Sequence, residues 1–201
     1  EAFQHTADYD TAISNWISKE RDLQSSKYIE SYSLIKTLRY GENPHQKAFW
    51  YGLSNIGWNS AEQLQGKELS YNNLLDLESA LSTVLEFGYD EKDILKTNKY
   101  ASVILKHNNP CGASMGNSAS KAFLKALECD SVSAFGGIVA FNSNVDYETS
   151  INLKDIFLEC VVAPSFDSEA LEILKNKKNL RILRLSKDKF SKKNQTSTKS
   201  I

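Results

Sequence analysis

Three short segments of the chain hold the residue types best suited to chemistry. In the first, Lys106-His107-Asn108-Asn109-Pro110-Cys111-Gly112, a primary ammonium stands beside an imidazole directly after the apolar run Ala101 to Leu105. That run has the length and composition of a buried strand, so Lys106 and His107 are expected to project from its end, with Pro110 and Gly112 forcing a tight turn. A cation next to an imidazole favours its neutral, proton-accepting form, and an ammonium stabilises an oxyanion. The pair therefore suits proton transfer from a nitrogen nucleophile. A surface lysine and a structural histidine on a turn fit the same triplet equally well.

The second segment is Leu38-Arg39-Tyr40-Gly41-Glu42-Asn43-Pro44-His45-Gln46. Arg39 offers a bidentate fork for phosphate or carboxylate, and Tyr40 adds a hydroxyl and a stacking face beside a glycine turn. A plain exposed arginine is the competing reading. His45 has no clustered partner for a metal and reads as a loop-fixing residue. In the third segment, Ser133-Ala134-Phe135-Gly136-Gly137, a ring sits next to a backbone with no Cβ to block close approach, although a simple tight turn has the same composition.

Several absences narrow the chemistry. The chain has neither G-x-x-x-x-G-K-[ST] nor G-x-G-x-x-G, so the common triphosphate and dinucleotide loops are missing. His107 with Pro110-Cys111 is a partial match to the zinc deaminase pattern, but Asn109 stands in the place of its Glu and Ser114 in the place of its second Cys. No zinc site is expected. Three cysteines at wide spacing form no disulfide framework and favour a reducing, cytoplasmic setting.

These loops need elements to hold them. Ala12, Ile13, Trp16 and Ile17 predict a short helix over Asp8 to Lys19, capped by Thr6 or Asp8. Tyr28 to Leu38 reads as a strand. Leu74, Leu77, Leu81, Val84 and Leu85 form one apolar stripe, capped by Asn72 or Asn73 and stopped by Gly88. A further helix follows Ser118 through Ala119, Ala122, Phe123, Ala126 and Leu127. Strands are expected at Gly137 to Phe141, Val161 to Ala163 and Leu180 to Leu185, with helices at about Ile151 to Glu159 and Glu169 to Lys175. This alternation predicts an α/β layered domain with a parallel or mixed sheet.

With 201 residues, 41% hydrophobic and 24% charged, the chain can bury a sizeable core. No apolar run approaches the roughly 18 to 20 residues that span a bilayer, and no signal peptide is visible. Residues 175–201 carry a net charge of +9, against −10 for residues 1–174. Such a tail can bind nucleic acid, but its Ser, Thr, Asn and Lys content fits a solvated segment better.

Taken together, LRYGENPHQ (38–46), LQGKELSYNNLLD (64–76), ILKHNNPCG (104–112), SAFGGIVAFN (133–142) and VVAPSFDSEALEIL (161–174) resemble the bifunctional purine-biosynthesis family that joins an IMP cyclohydrolase to an AICAR formyltransferase. The resemblance implies that residues 1–20 end the cyclohydrolase domain, 21–27 link, 28–186 form the first half of the formyltransferase domain, and 187–201 are a basic, flexible segment before a second half. The implied fold is a three-layer α/β/α sandwich, cytidine-deaminase-like but without the zinc. The implied reaction is attack of the 5-amino group of AICAR on the formyl carbon of 10-formyltetrahydrofolate, with Lys106 and His107 as the catalytic pair. By the same resemblance Arg39 and Tyr40 bind the nucleotide, Asn73 reaches it from a partner subunit, and Phe135 and Gly136 line the folate and nucleotide pockets. Glu159 stands where some members place a nucleotide-contacting Asp. A cytoplasmic homodimer with a shared site is implied, binding no nucleic acid and no membrane. The 201 residues alone are expected to be inactive; a non-catalytic nucleotide-binding or interaction module is the alternative.

Overall fold

A computed structural model describes residues 1–21, 29, 31–52, 57–97 and 99–189. Its centre is a six-stranded mixed sheet with helices on both faces. In chain order the elements are α1 (Ala2–Glu20), β1 (Ser33–Leu38), β2 (Ala48–Gly52), β3 (Glu62–Gln65), α2 (Tyr71–Leu85), α3 (Glu91–Thr97), β4 (Tyr100–Lys106) and β5 (Asn109–Gly116). They continue with α4 (Ala119–Cys129), β6 (Gly137–Phe141), α5 (Tyr147–Lys154), β7 (Leu158–Ala163), α6 (Ser168–Leu174) and β8 (Arg181–Arg184). The strand order is β3-β8-β7-β6-β4-β5; β6, β7 and β8 run parallel, while β4 is antiparallel to both β6 and β5.

Alternation along the strands separates two cores. Ile104, Val139, Phe141, Val161 and Ile182 meet Phe123 of α4, Leu153 of α5 and Leu174 of α6 on one face. Val103, Leu105, Ile138, Ala140, Cys160 and Val162 meet Leu77, Leu81 and Val84 of α2 on the other. Period-two strands between two layers of helices account for the near-continuous apolar runs in β4, β6 and β7.

The long stripes form the expected helices, with some changes at their ends. Ser118 caps α4, accepting from the Lys121 N–H at 3.2 Å. The cap of α2 is Ser70, not Asn72 or Asn73; Asn73 instead completes a capping box, its Oδ1 accepting from the Ser70 N–H. Helix α1 begins at Ala2 rather than Asp8 and buries none of its residues, so among the described residues its stripe joins neither core. The helix expected over 151–159 is α5, which ends at Lys154, and Glu159 lies on strand β7. The expected boundary at 21–27 and the basic segment 187–201 fall largely outside the described residues.

The largest correction concerns residues 106–116. Pro110 and Gly112 make no turn; they lie in β5, an edge strand where a missing N–H is tolerated. The turn is His107-Asn108, a two-residue hairpin loop closing Lys106 against Asn109, with φ of +53° and +58°. Two consecutive left-handed residues match the twist of a β-hairpin. Gly112 serves packing instead, because a Cβ there would lie 1.9 Å from the Ala126 carbonyl oxygen of α4.

Candidate functional site

The candidate residues gather along the edge of the sheet where β4 ends and β6, β7 and β8 begin. Pairing of Leu105 with Ile138, and of Gly137 with Leu158, places Lys106 beside the entries to β6 and β7. Lys106 Nζ donates to the Phe135 carbonyl at 2.7 Å. Gly136, at φ +76°, follows, and its N–H donates to the Phe157 carbonyl. A Cβ on Gly136 would meet Phe157 at 3.6 Å and Lys106 Nζ at 3.9 Å, so ring, ammonium and bare backbone form one surface. The Phe135 and Phe157 rings lie 5.1 Å apart, tilted by 38°, and both are about half exposed. Such a pair offers an apolar wall to a flat ligand.

Glu159 reaches the site through a bulge. Gly137 faces Leu158 but Ile138 faces Cys160, so Glu159 is the extra residue of β7. Leu158 packs on the α4–α6 side and Cys160 on the α2 side, and the bulge lets Glu159 point toward α2 as well. Re-aiming a side chain is what such an insertion does. There Asn73 Nδ2 donates to Glu159 Oε2 at 2.7 Å, and Arg181 Nη1 stands 4.0 Å from the same oxygen. Arg181 is fixed in turn, its Nε donating to the Glu68 carbonyl. Lys36 pairs with the Glu68 carboxylate at 2.8 Å, and this hydrogen bond and charge hold that carboxyl below the usual range.

Arg39 and Tyr40 open the loop joining β1 to β2. The loop closes on itself through Gly41 N–H to the Gln46 carbonyl and Asn43 N–H to Gln46 Oε1, both at 2.8 Å. Asn72 Nδ2 ties it to α2 through the Glu42 carbonyl. The exposed Arg39 guanidinium lies 5.8 Å from the Tyr40 ring centroid, within cation–π range. Among the described residues it makes no ion pair.

Thus the structure joins Lys106 to Phe135 and Gly136, joins Asn73 to Glu159, and brings Arg39 and Tyr40 to the same helix through their loop. His107 is exposed on its turn. The sequence reading missed Phe157, Arg181 and Asp76, whose carboxylate accepts from the turn at 107–108. Arg181 alone had a visible signal, as a cation entering a predicted strand. Among the described residues no three His, Cys, Asp or Glu side chains gather as metal ligands, and no helix is long and apolar enough to cross a membrane. A cavity of about 390 Å³ opens at the opposite edge of the sheet between Asp90, Asn144, Pro164 and Lys187. Its polar walls are largely satisfied internally, as in Lys187 with Asp93 and Ser165 with Asn144.

Residues 1–201 match the AICARFT/IMPCHase bienzyme family throughout. The chain is 88% identical to the bifunctional purine biosynthesis protein PurH of Prochlorococcus marinus strain MIT 9301 and 89% identical to that of strain AS9601. The PurH of strain MIT 9211 is 56% identical. Each match covers 100% of this chain and 39% of the relative, so the chain spans about two-fifths of their length. Among solved structures, a putative formate dehydrogenase accessory protein from Desulfotalea psychrophila matches at 10% identity and a TM-score of 0.43, covering 58% of this chain and 57% of its own. That likeness carries no argument.

Proposed function

The chain belongs to the AICARFT/IMPCHase bienzyme family, and from that premise we propose that it supplies one half of a formyltransferase site within a longer protein that also closes the product to IMP. The observation that carries this reading is the shared edge at which Lys106, the Phe135–Gly136 backbone, Glu159 and the His107 turn meet. In the proposed reaction the 5-amino nitrogen of AICAR attacks the formyl carbon of 10-formyltetrahydrofolate. The formyl oxygen gains charge in the tetrahedral intermediate, and collapse breaks the bond to the folate nitrogen. His107 takes the proton lost by the amine; the folate nitrogen leaves protonated. Lys106 stabilises the oxyanion or donates that proton.

Arg39 grips the anionic end of the nucleotide and Tyr40 offers a face and a hydroxyl, while Phe135 with Phe157 walls the folate side. Glu159 accepts from nucleotide donors through the oxygen that Asn73 and Arg181 leave open. Asn73, whose amide is engaged within the chain, acts first through Glu159 and only secondarily on a neighbouring subunit's nucleotide. The mixed sheet with helices on both faces supports a cytidine-deaminase-like sandwich, and Asn109 and Ser114 at the deaminase Glu and Cys positions argue against zinc. Family membership supports completion of the site by a second half and a second subunit of a cytoplasmic homodimer, with small molecules as ligands.

A chimera tests the proposal: these 201 residues replace the matching stretch of the strain MIT 9301 relative. A folate-linked absorbance assay should show turnover by the chimera and none by the 201-residue chain alone. An inactive chimera that folds and binds AICAR in calorimetry would make these residues a nucleotide-binding module instead.

A further inference from the structure

The hairpin turn at His107-Asn108 presents a physical problem. Both residues are left-handed, and neither is glycine; the conformation costs about 1 to 2 kcal/mol for a residue such as His107 and less for Asn108, whose short polar side chain tolerates it. The turn also projects two backbone N–H groups away from the sheet. Asp76, one helical turn beyond Asn72 and Asn73 on α2, meets both of them. Its Oδ2 accepts from the His107 N–H at 3.2 Å and its Oδ1 from the Asn108 N–H at 2.8 Å. With its nitrogen turned toward α2, the Asn108 side-chain amide donates to Asp76 Oδ1 at 3.3 Å, the Leu75 carbonyl at 3.2 Å and Ser79 Oγ at 3.0 Å. Consecutive N–H groups converging on one carboxylate form an anion nest, here filled by a side chain of the same chain.

We infer that Asp76 is a positioning residue for His107: its carboxylate clamps the left-handed turn and thereby fixes where the imidazole stands relative to Lys106 and Phe135. This rests on the reading of His107 as the base, and it gives α2 a specific task. Asn72, Asn73, Asp76 and Ser79 form a polar stripe on a helix whose other face is core: Asn72 holds the Arg39–Tyr40 loop, Asn73 holds Glu159, and Asp76 with Ser79 holds the 107–108 turn. Helix α2 is the ruler along which the loops are aligned. No proton passes through Asp76 in this role, because both of its oxygens face backbone donors of the turn.

The test uses the chimera and separates clamp from chemistry. Asp76→Ala should lower kcat on the order of 10- to 100-fold, the cost of displacing a reacting group by about an ångström, while KM for AICAR stays within about threefold. Adding Asn108→Gly to Asp76→Ala should recover much of kcat, because glycine adopts the left-handed conformation without a clamp. A proton-relay role would not respond to that second change. Amide exchange at His107 and Asn108 should accelerate in Asp76→Ala. Should Asp76→Ala fail to fold, the isosteric Asp76→Asn, which turns a donor toward one of the two N–H groups, should show the same kcat loss. Unchanged kcat in whichever variant folds, with His107→Ala crippled, overturns the clamp but leaves the base. Unchanged kcat in His107→Ala overturns the base, and the exchange rates then judge the clamp alone.

Discussion

Replacing Asn73 by alanine should weaken the fold before any ligand is added, because its amide is engaged twice inside the chain. Oδ1 accepts from the Ser70 N–H that opens α2, and Nδ2 donates to the Glu159 carboxylate. Loss of a capping contact costs about 0.5 to 1 kcal/mol at the low end of its range. A hydrogen bond to a charged group is worth about 1.5 kcal/mol or more, discounted to roughly 1 because the Glu159 side chain is 46% exposed. Alanine's better helix propensity returns about 0.5 kcal/mol. The net is a destabilisation of about 1 to 1.5 kcal/mol, a fall of roughly 0.5 to 1 M in the urea midpoint for a chain of this size. Trp58, whose indole N–H donates to Glu78 of α2, supplies a fluorescence probe on that helix. Asn73→Asp keeps an acceptor for Ser70 but sets a second carboxylate against Glu159, so its cost should disappear in a Glu159→Gln background. A midpoint within 0.1 M of the parent for Asn73→Ala, or no coupling to Glu159, would refute the argument. Asn73 would then act chiefly on something outside this chain.

Gly112→Ala should cost about 3 kcal/mol or more, read as a fall in melting temperature, because the new methyl meets the Ala126 carbonyl and two backbones must separate. Thiol labelling at pH 8 should proceed in order of burial: exposed Cys129 first, then Cys111, whose pKa is raised mainly by partial burial and next by Asp130, and Cys160 only in denaturant. Burial holds the Cys160 thiol up to about 12, and the thiolate is the reactive form. Tyr89→Phe should cost about 1 kcal/mol at pH 8 by removing the bond from its hydroxyl to the Leu185 carbonyl. Burial, and secondarily Asp90, pushes this phenol well above its ordinary value, so its contribution is complete below about pH 10 and lost as pH rises further. Urea midpoints at pH 8 and pH 11 should therefore show the gap between parent and Tyr89→Phe closing.

The elements legible in the sequence were those with one strong period. The stripe from Leu74 to Leu85 became α2 because it faces a single core, and the run Ala101 to Leu105 became β4 because both of its faces are covered. Strand β5 was illegible for the opposite reason. Asn-Pro-Cys-Gly-Ala-Ser-Met-Gly is poor in branched and aromatic residues, yet small residues are what its packing on α4 demands. The proline and glycine that suggested a turn answer to an edge position and a close helix, while the actual turn uses His and Asn held left-handed from outside. The site was legible as three loops but not as a network. Glu159 looks like a helix end until a bulge, invisible to any period, turns it toward Asn73. Arg181 and Asp76 gain meaning only from tertiary neighbours, and α1 shows that a periodic stripe does not by itself become buried, since none of its residues is.

The central claim, that the edge gathered along α2 holds a base and a separate anion grip, is tested most directly by steady-state kinetics of His107→Ala and Arg39→Ala in the chimera, with AICAR affinity measured by calorimetry. A base acting on the moving proton contributes about 100- to 10,000-fold, so His107→Ala should lose that much kcat with AICAR affinity nearly unchanged. Arg39→Ala should instead raise KM and weaken AICAR binding with kcat largely kept, since it grips a group unaltered by the reaction. A His107→Ala enzyme that keeps kcat within a few-fold and merely raises KM would contradict the account and move the search for the base to His45.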